Sequence, residues 1–523
     1  MTKTLSLLDL AIVVGYLIAL AVIGAVFSRR QTSMEAFLIA GRRMAWLPVG
    51  LSLMAALNSG IDYLTQPSAT IQFGLVLVLG TLSWLAVYPW VSRVVFPFFR
   101  RLNYYSIYEY LEARFDVRVR TLAAVIFVGW RLGWMATALY VPALAISAAS
   151  GGQIDLVPII VLAGTLVTLY TMLGGIQAVI WNDVIQFCVM FGGLGATVWI
   201  VAASATDGVS GIWAAAAGAG KTSLWVPLGD STSLAVPTST VVWDPIIAFF
   251  KQPLNVPALL FALIIGRSAQ YTIDQTMMLR IQTTRTLRHA RQAFIVNAVG
   301  DAMWMWGLTF VGLALFTYFQ QQPAPEGLAP DRWLPYFMTK VFPAGAVGLV
   351  NASILAASLS SVDAAIHSSS SVLVVDVYNR LLRADGAGRS EVDNGRSDVL
   401  ALRIAAVIVG VSGTVLACNV SGMGNLFEIA NKLINSFSGP LFGIFLLAMF
   451  SSSVTSSAAL VGGIAGAMAA YLVAYHSPIS FLWPSTFGLV ATLSVAFVLG
   501  LIFGRNTGKA LTWRAVMEGA GRG

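Results

Sequence analysis

Long apolar segments recur from one end of this sequence to the other. A helix needs about 20 mostly apolar residues to cross the hydrocarbon core of a bilayer. Only 10% of the 523 residues are charged, against roughly 25% in soluble domains. Thirteen segments, numbered 0 to 12, qualify as spans: residues 7–28, 45–73, 74–99, 121–149, 154–174, 177–204, 255–279, 292–319, 343–376, 399–419, 424–450, 457–476 and 482–504. The sequence predicts an all-α membrane protein with 13 transmembrane helices in one domain, residues 1–523.

Most arginines lie in the loops on one side of these predicted helices. Cytoplasmic loops are enriched in Lys and Arg. The loops after segments 0, 2, 6 and 8 and the C-terminal tail share a side, with Arg29, Arg30, Arg42, Arg43, Arg100, Arg101, Arg114, Arg118, Arg120, Arg280, Arg285, Arg288, Arg291, Arg380, Arg383, Arg389, Arg396, Arg505, Lys509 and Arg514. The other side has Lys3, Lys221, Arg332 and Lys340. We therefore expect a multi-pass protein of the cell's inner (plasma) membrane, with its N-terminus outside and its C-terminus in the cytoplasm. The net charge of +8 then reflects topology, and nucleic-acid binding is not expected.

Residue types that enzymes use are sparse. The two cysteines, Cys188 and Cys418, lie in apolar segments and predict neither a disulfide framework nor a metal site. The histidines, His289, His367 and His476, form no metal-spaced cluster, and no Ser-His-Asp set or phosphate loop appears. An enzyme is therefore not expected.

Segment 45–73 contains a weak helical stretch near its middle. Asn58-Ser59-Gly60-Ile61-Asp62 is followed by Pro67. In lipid an unwound helix persists only beside protein or a water-filled cavity, because unpaired backbone groups are costly there. The stretch indicates either a kinked packing helix or a discontinuous helix whose free carbonyls bind a cation or substrate.

Segment 343–376 carries small and hydroxyl residues at helical spacing. Ala357, Ser360 and Ser361 lie at positions i, i+3 and i+4, so they share one face. A carbonyl and two hydroxyls suit a hard cation, which prefers oxygen ligands. The alternative is that these small residues only allow close helix packing.

Charged residues also occur within or near the spans. They include Asp62, Asp183, Asp301, Asp363, Arg131 and Arg267. A charge at the bilayer centre costs about 2.5 kcal/mol or more, so such residues are functional candidates. The alternative is that they neutralise one another and only hold helices together.

Several stretches, taken in order, resemble the sodium:solute symporter family, which includes sodium–glucose, proline, sialic acid, monocarboxylate, iodide and multivitamin symporters. The most specific one is GGIQAVIWNDVIQ at residues 174–186. The others are residues 37–42, 106–115, 274–280, 290–291, 357–378 and 438–441.

The resemblance implies a fold and a mechanism. The fold is a five-plus-five inverted-repeat (LeuT-like) core with broken helices 1 and 6, the segments at 45–73 and 255–279. The first repeat would cover residues 45–204 and the second 241–450, after an extra N-terminal helix at 7–28 and before two C-terminal helices at 457–504. Members of the family transport their substrates by alternating access, around a binding site at the midplane of the bilayer.

The resemblance also implies a site for Na+ as coupling ion. Its ligands would be the carbonyls of Ala55, Asn58 and Ala357 and the hydroxyls of Ser360 and Ser361. Some relatives have a second sodium site near the aspartate that corresponds to Asp183. Two hydroxyl residues of that site are replaced here by Asp363 and Ala364, which argues against a second sodium ion bound as in those relatives. Asp183 and Asp363 would instead form a site for another cation or a proton, or Asp183 would anchor helix 8.

Substrate contacts in this family come from helices 1, 2, 3, 6 and 10. The matching positions here are Leu57, Ser59, Asp62, Arg131, Trp134, Arg267 and Gln270. Trp134 stands where a sialic acid carrier has a carboxylate-binding arginine, and Arg131 lies about one turn before it.

These positions predict the class of substrate. Two arginines facing one cavity would suit a carboxylate of the substrate. Asp62 could accept a hydrogen bond from a hydroxyl or an ammonium group on the same ligand. Residues 66–74 also resemble the monocarboxylate and vitamin branch. We therefore expect a sodium-coupled symporter for an organic anion: a monocarboxylate, a sugar acid or a zwitterionic acid.

Two other readings stay open. If Asp62 pairs with Arg131 or Arg267, a neutral pocket would serve a sugar or a proline-like amino acid. A membrane sensor built on the same fold is the remaining alternative.

Overall fold

The computed structural model describes residues 6–28, 33–150, 153–225, 249–252, 254–325, 327–328, 332–382, 391–420, 426–503 and 511–519. Outside them lie Arg29, Arg30, Arg383, Arg389, Arg505, Lys3 and Lys509, which the topology prediction uses. In the described parts the elements are helical, apart from one isolated β-bridge between Met44 and Thr284.

Twenty α-helices are present in the described parts of the chain. They are α1 (Leu7–Ser28), α2 (Met34–Ile39), α3 (Trp46–Leu57), α4 (Gly60–Phe73), α5 (Ser83–Trp90), α6 (Phe96–Leu102), α7 (Ile107–Arg114), α8 (Val117–Ala149), α9 (Leu156–Ala203), α10 (Gly208–Gly218), α11 (Val256–Ile273), α12 (Gln275–Gln282), α13 (Leu287–Gln321), α14 (Trp333–Val341), α15 (Ala346–Val372), α16 (Glu391–Ala417), α17 (Leu426–Phe450), α18 (Ser456–His476), α19 (Pro484–Phe503) and α20 (Trp513–Glu518).

Within the described residues, ten helices are long and apolar enough to cross a membrane. This finding agrees with a multi-pass membrane protein, while the count of thirteen crossings stays a prediction. Two predicted segments, 154–174 and 177–204, form the single element α9. Its two arms meet at Gly175, whose φ of 59° and ψ of −166° interrupt the helix.

Both segments that were expected to be discontinuous are interrupted. Between α3 and α4, Asn58 and Ser59 are extended, with φ/ψ of −98°/137° and −121°/168°. Between α11 and α12, Asp274 is extended, with φ −91° and ψ 109°. The relation of the two halves as inverted repeats stays a prediction.

Helix α15 lies at the centre of the molecule. It is buried along nearly its whole length and packs against α1, α8, α9 and α16. Its small residues let neighbouring backbones approach closely. The closest approach brings Gly60 at the start of α4 against α15, where a Cβ on Gly60 would lie 2.3 Å from Ser358 Oγ. The backbone at the start of α4 therefore contacts a side chain of α15 next to the break.

Candidate functional site

The break between α3 and α4 faces two serine hydroxyls of α15. Ser360 Oγ lies 2.8 Å from the Ala55 carbonyl oxygen and 2.9 Å from the Ala357 carbonyl oxygen. Ser361 Oγ lies 3.4 Å from the Asn58 carbonyl oxygen. The structure thus brings together the five groups that sequence analysis assigned to sodium.

This cluster is buried and carries no formal charge. Ala55, Asn58, Ser360 and Ser361 are each at most 1% exposed. A sixth oxygen, the Ala56 carbonyl, lies 3.4 Å from Ser361 Oγ and was not anticipated. Several carbonyl and hydroxyl oxygens that converge on one point form a suitable donor set for a hard monovalent cation. The hydroxyls now donate to the carbonyls, and they would turn to present lone pairs to a cation.

Immediately after the break, α4 begins with a capping box. Ser59 Oγ accepts from the Ile61 backbone N–H at 3.2 Å, and the Ser59 N–H donates to Asp62 Oδ2 at 2.7 Å. These reciprocal bonds satisfy donors that a helix start leaves unpaired. The cap fixes Asp62 in the first turn of α4 and explains locally why the helix restarts here.

A cavity of about 230 Å³ lies on the α4 side of the break. Three of the predicted substrate positions line it, namely Asp62, Trp134 and Arg267, whereas the other four do not. Its remaining lining residues are Ile61, Thr65, Gln66, Phe73, Leu77, Gly80, Thr81, Leu254, Leu259, Leu263, Met305, Phe481 and Leu482.

Sequence analysis did not assign Thr65 and Gln66 to the site, although Gln66 begins a run that carried the family resemblance. Both follow Asp62 on the same helix at spacings of three and four residues, which was a usable signal. Leu57 and Ser59 lie at the break itself. Gln270 is near the C-terminal end of α11, where the Asp274 N–H donates to its carbonyl oxygen at 3.2 Å.

Arg267 faces the cavity but is already engaged by the protein. Its Nη2 donates to Asp301 Oδ2 at 2.9 Å, and its Nη1 donates to Ser83 Oγ at 2.6 Å and to the Gly80 carbonyl at 3.0 Å. Its guanidinium carbon lies 4.2 Å from the centre of the Trp84 ring. Asp301 also accepts from the Trp84 indole N–H at 2.7 Å. A buried ion pair therefore holds this guanidinium at the cavity wall.

Arg131 requires a correction, because it does not line the cavity. Its guanidinium forms an ion pair with Asp274 at the break between α11 and α12, and both side chains are almost fully buried. Its guanidinium carbon also lies 4.7 Å from the ring centre of Trp130. Asp274 in turn caps α12 by accepting from the Thr276 N–H at 2.8 Å. Because this carboxylate sits where a helix is interrupted, the arginine neutralises its charge at the interruption.

The alternative pairing of Asp62 is likewise not found. In the described residues Asp62 pairs with neither Arg131 nor Arg267, since each arginine has its own aspartate. The two arginines therefore do not face one cavity together.

The two aspartates proposed for a second site have different partners. Asp183 Oδ2 accepts from Arg280 Nη2 at 2.9 Å and from Ser52 Oγ at 2.5 Å. Asp363 Oδ2 accepts from the Tyr170 hydroxyl at 2.9 Å. Within the part of the chain that the structure describes, Asp363 has no arginine or lysine partner, and Oδ1 of each aspartate is buried without a hydrogen bond.

The amphipathic helix α7 lies against the break between α11 and α12. The Tyr108 hydroxyl donates to the Ile273 carbonyl at 2.8 Å. The Gln275 side chain donates to the Tyr105 carbonyl at 2.7 Å and accepts from the Ile107 N–H at 3.0 Å. The Tyr108 hydroxyl thereby satisfies a carbonyl next to the interruption, and the Gln275 side chain in turn pairs with backbone groups at the start of α7.

His367 packs against Phe37. It stacks on Phe37 with ring centres 5.5 Å apart, and its Nε2 lies 3.1 Å from the Phe37 carbonyl oxygen. In the described part of the chain, no three or more His, Cys, Asp or Glu side chains cluster as ligands for a metal ion.

Comparisons with known proteins show the family of this chain. The model of the sodium:solute symporter family matches residues 37–466. The sodium/sialic acid symporter SiaT of Proteus mirabilis is 29% identical over 490 residues, which is 93% of this chain and 93% of that protein. The sodium-coupled monocarboxylate transporter 1 of Homo sapiens is 30% identical over 477 residues, 88% of this chain and 72% of that protein.

The solved structures include a substrate-bound, outward-open, Na+-coupled sialic acid symporter with 27% identity. It superposes with a TM-score of 0.83 over 96% of this chain and 100% of that chain. The nucleobase-cation-symport-1 transporter Mhp1 in a closed conformation shares the fold at a TM-score of 0.54 and 13% identity, over 93% of this chain and 98% of that one. The predicted resemblance is confirmed: the chain belongs to the sodium:solute symporter family, a family of transporters rather than enzymes, and sodium is its coupling ion.

Proposed function

We propose that this protein imports a small organic acid by alternating access, with the sodium ion bound between the α3/α4 break and α15. The observation that carries the proposal is the convergence of the Ala55, Asn58 and Ala357 carbonyls with the Ser360 and Ser361 hydroxyls. The substrate would bind in the adjoining cavity. Its volume of about 230 Å³ is below the roughly 300–1,000 Å³ of pockets for drug-sized ligands, which favours a small solute.

The position of the sodium site explains how coupling would arise. A cation between the break and α15 would hold α3 and α4 in one relative orientation. Asp62 begins α4 just beyond that break, so the same cation would fix one wall of the substrate cavity. Each ligand then raises the affinity for the other by the same factor. The sodium gradient would thus drive substrate accumulation.

The direction of transport follows from the proposed topology. The cavity includes Phe73, Leu77, Leu254 and Leu482, which lie near helix ends on the side that lacks the arginine-rich loops. That side is the proposed exterior, so the cavity would receive substrate from outside. Helix α7 and the Arg131–Asp274 pair would close the cytoplasmic side.

The substrate classes that we propose are a monocarboxylate, a sugar acid or a zwitterionic acid. The relatives reported above are named as symporters of sialic acid or transporters of monocarboxylates. Arg267 provides a guanidinium at the cavity wall. A neutral sugar or a proline-like solute is the alternative. Asp183 and Asp363 stay proposed as a second site for a cation or a proton, and their unbonded Oδ1 atoms support that assignment.

Uptake by purified protein in proteoliposomes tests the proposal. An inward sodium gradient should drive accumulation of at least one probe from lactate, sialic acid, glucuronate, proline and glucose, whereas an equal potassium gradient should not. Accumulation of only glucose would contradict the organic-acid assignment. Equal accumulation in both gradients would contradict sodium coupling.

A further inference from the structure

Asp62 is the one side chain with a formal charge at the cavity that has no ionic partner in the described residues. Its Oδ2 accepts the Ser59 N–H at 2.7 Å. Its Oδ1 makes no hydrogen bond with the described residues, and the side chain lines the cavity. One carboxylate oxygen therefore stays open to a ligand.

The charges around the cavity leave a net negative site. Among the lining residues that the structure describes, the two with a formal charge are Asp62 and Arg267. Arg267 is paired with Asp301, which lies directly behind it. These three groups together carry one negative charge. A simple anion would meet an unfavourable potential here, whereas a ligand with a positive group beside Asp62 would restore neutrality.

The helix cap alone does not account for a charge at this position. An asparagine oxygen could accept the same Ser59 N–H, and a carboxylate at membrane depth costs about 2.5 kcal/mol or more. None of the residues proposed to bind sodium lines the cavity, so a cation at that site would lie outside it. A cationic group of the ligand would be the partner of this carboxylate within the cavity.

Arg267 can still orient the other end of such a ligand. Of the five N–H bonds on a guanidinium, those on Nη1 and one on Nη2 are used by Gly80, Ser83 and Asp301. Its Nε makes no hydrogen bond with the described residues. A ligand carboxylate would share this guanidinium with Asp301, while its positive group lies at Asp62.

We propose that Asp62 binds an ammonium group of the substrate, so that the transported solute is a small zwitterion and not a simple carboxylate. The inference rests on the proposed symport function and selects one of its three substrate classes. Asp62 is then the residue that discriminates an amino acid from the acid that lacks the amino group.

Matched pairs of probes test this assignment on the purified full-length protein. Alanine, serine, proline and γ-aminobutyrate are compared with propionate, 3-hydroxypropionate, cyclopentanecarboxylate and butyrate. The readout is the rise in unfolding temperature as a function of probe concentration, with sodium or with choline. At least one zwitterion should raise the unfolding temperature in the presence of sodium. The matching acid without the amino group should need a concentration at least about 30-fold higher to give the same rise.

The variant Asp62→Asn keeps the size of the side chain and its capping oxygen. It should weaken zwitterion binding at least about 30-fold while stabilisation by sodium alone is retained. The matched control is Asp116→Asn, which changes a carboxylate that caps α8 outside the cavity. It should alter neither response.

Two outcomes overturn the assignment of Asp62, and a third overturns only the sodium coupling. In the first, sodium alone stabilises the protein, but no zwitterion binds or a partner acid binds equally well. This result contradicts the ammonium site and leaves the proposed symport function unaffected. Loss of the response to sodium alone in Asp62→Asn would make Asp62 a sodium ligand instead. If the wild type shows no response to sodium but binds a zwitterion, the proposed coupling fails and the ammonium site stands. The wild-type comparison of paired probes decides the question even if the variant does not fold.

Discussion

The two helix interruptions in this molecule are satisfied in opposite ways. At the α3/α4 break the neutral hydroxyls of Ser360 and Ser361 on α15 face the carbonyl oxygens of Ala55 and Asn58. At the α11/α12 break the interruption contains a carboxylate, Asp274, which is paired with a guanidinium from α8. Freed backbone groups in a membrane must find partners in either case.

The difference indicates which break can exchange its partners. Hydroxyls can turn from donating to carbonyls to presenting lone pairs to a cation, so the proposed sodium ion could bind and leave at the first break. The second break is held by a salt bridge and by Tyr108 from α7, which donates to the Ile273 carbonyl. We infer that the first break responds to ions and the second serves as a fixed joint. Three substitutions would break or sharpen this contrast.

The largest effect is expected from removing the charge at the second break. Asp274→Asn leaves Arg131 buried without its counterion, which should lower the free energy of unfolding by about 3–5 kcal/mol. Chemical denaturation of the purified protein in detergent measures it. The double variant Arg131→Met/Asp274→Leu removes both charges and should recover most of the loss. A double variant as unstable as the single one would show that charge neutralisation is not what Arg131 provides.

An intermediate effect is expected at the first break. Ser361→Ala removes one hydroxyl from the proposed sodium ligands, and hydrogen bonds to charged groups contribute about 1.5–3 kcal/mol. The sodium concentration for half-maximal thermal stabilisation should rise roughly 10- to 100-fold, with the fold unchanged in the absence of sodium.

The matched control for this variant is Ser369→Ala, a fully buried serine on the same helix. Its Oγ makes no hydrogen bond in the described residues. It should leave the sodium response unchanged. Equal shifts in both variants would point to a general packing effect on α15 and against direct coordination by Ser361.

The smallest effect is expected from the contact between α7 and the second break. Tyr108→Phe removes only the hydroxyl that donates to the Ile273 carbonyl, so stability should fall by about 1 kcal/mol. Tyr318→Phe, at an exposed bond to Gln322, should cause no measurable loss. If Tyr108→Phe also changed the sodium response, the second break would not be the fixed joint inferred above.

Part of the candidate site could be predicted because its signals are local. The polar run from Asn58 to Asp62 and the spacing of Ser360 and Ser361 are visible within single segments, since a helix interruption and a helix face depend on neighbouring residues. The family resemblance then related the two segments. The structure brings their groups within 2.8–3.4 Å of each other.

The partners of the charged residues could not be predicted in the same way. Arg131 and Asp274 are 143 residues apart, and nothing near either one specifies the other. Arg267 pairs with Asp301 across two different helices and also contacts Ser83 and Trp84 from a third. Interpreting both arginines as ligands for one carboxylate therefore overestimated the positive charge of the cavity.

The sequence by itself determined the membrane class, the helical content, the family and the positions of the weak helical points. These follow from hydropathy, helix-breaking residues and hydroxyl spacing, which are properties of short stretches of chain. Only the tertiary structure decided which charges cancel and which stay free, including the open carboxylate oxygen of Asp62. That outcome depends on distances of a few ångströms between helices remote in sequence, because Coulomb energies and hydrogen bonds act over such distances.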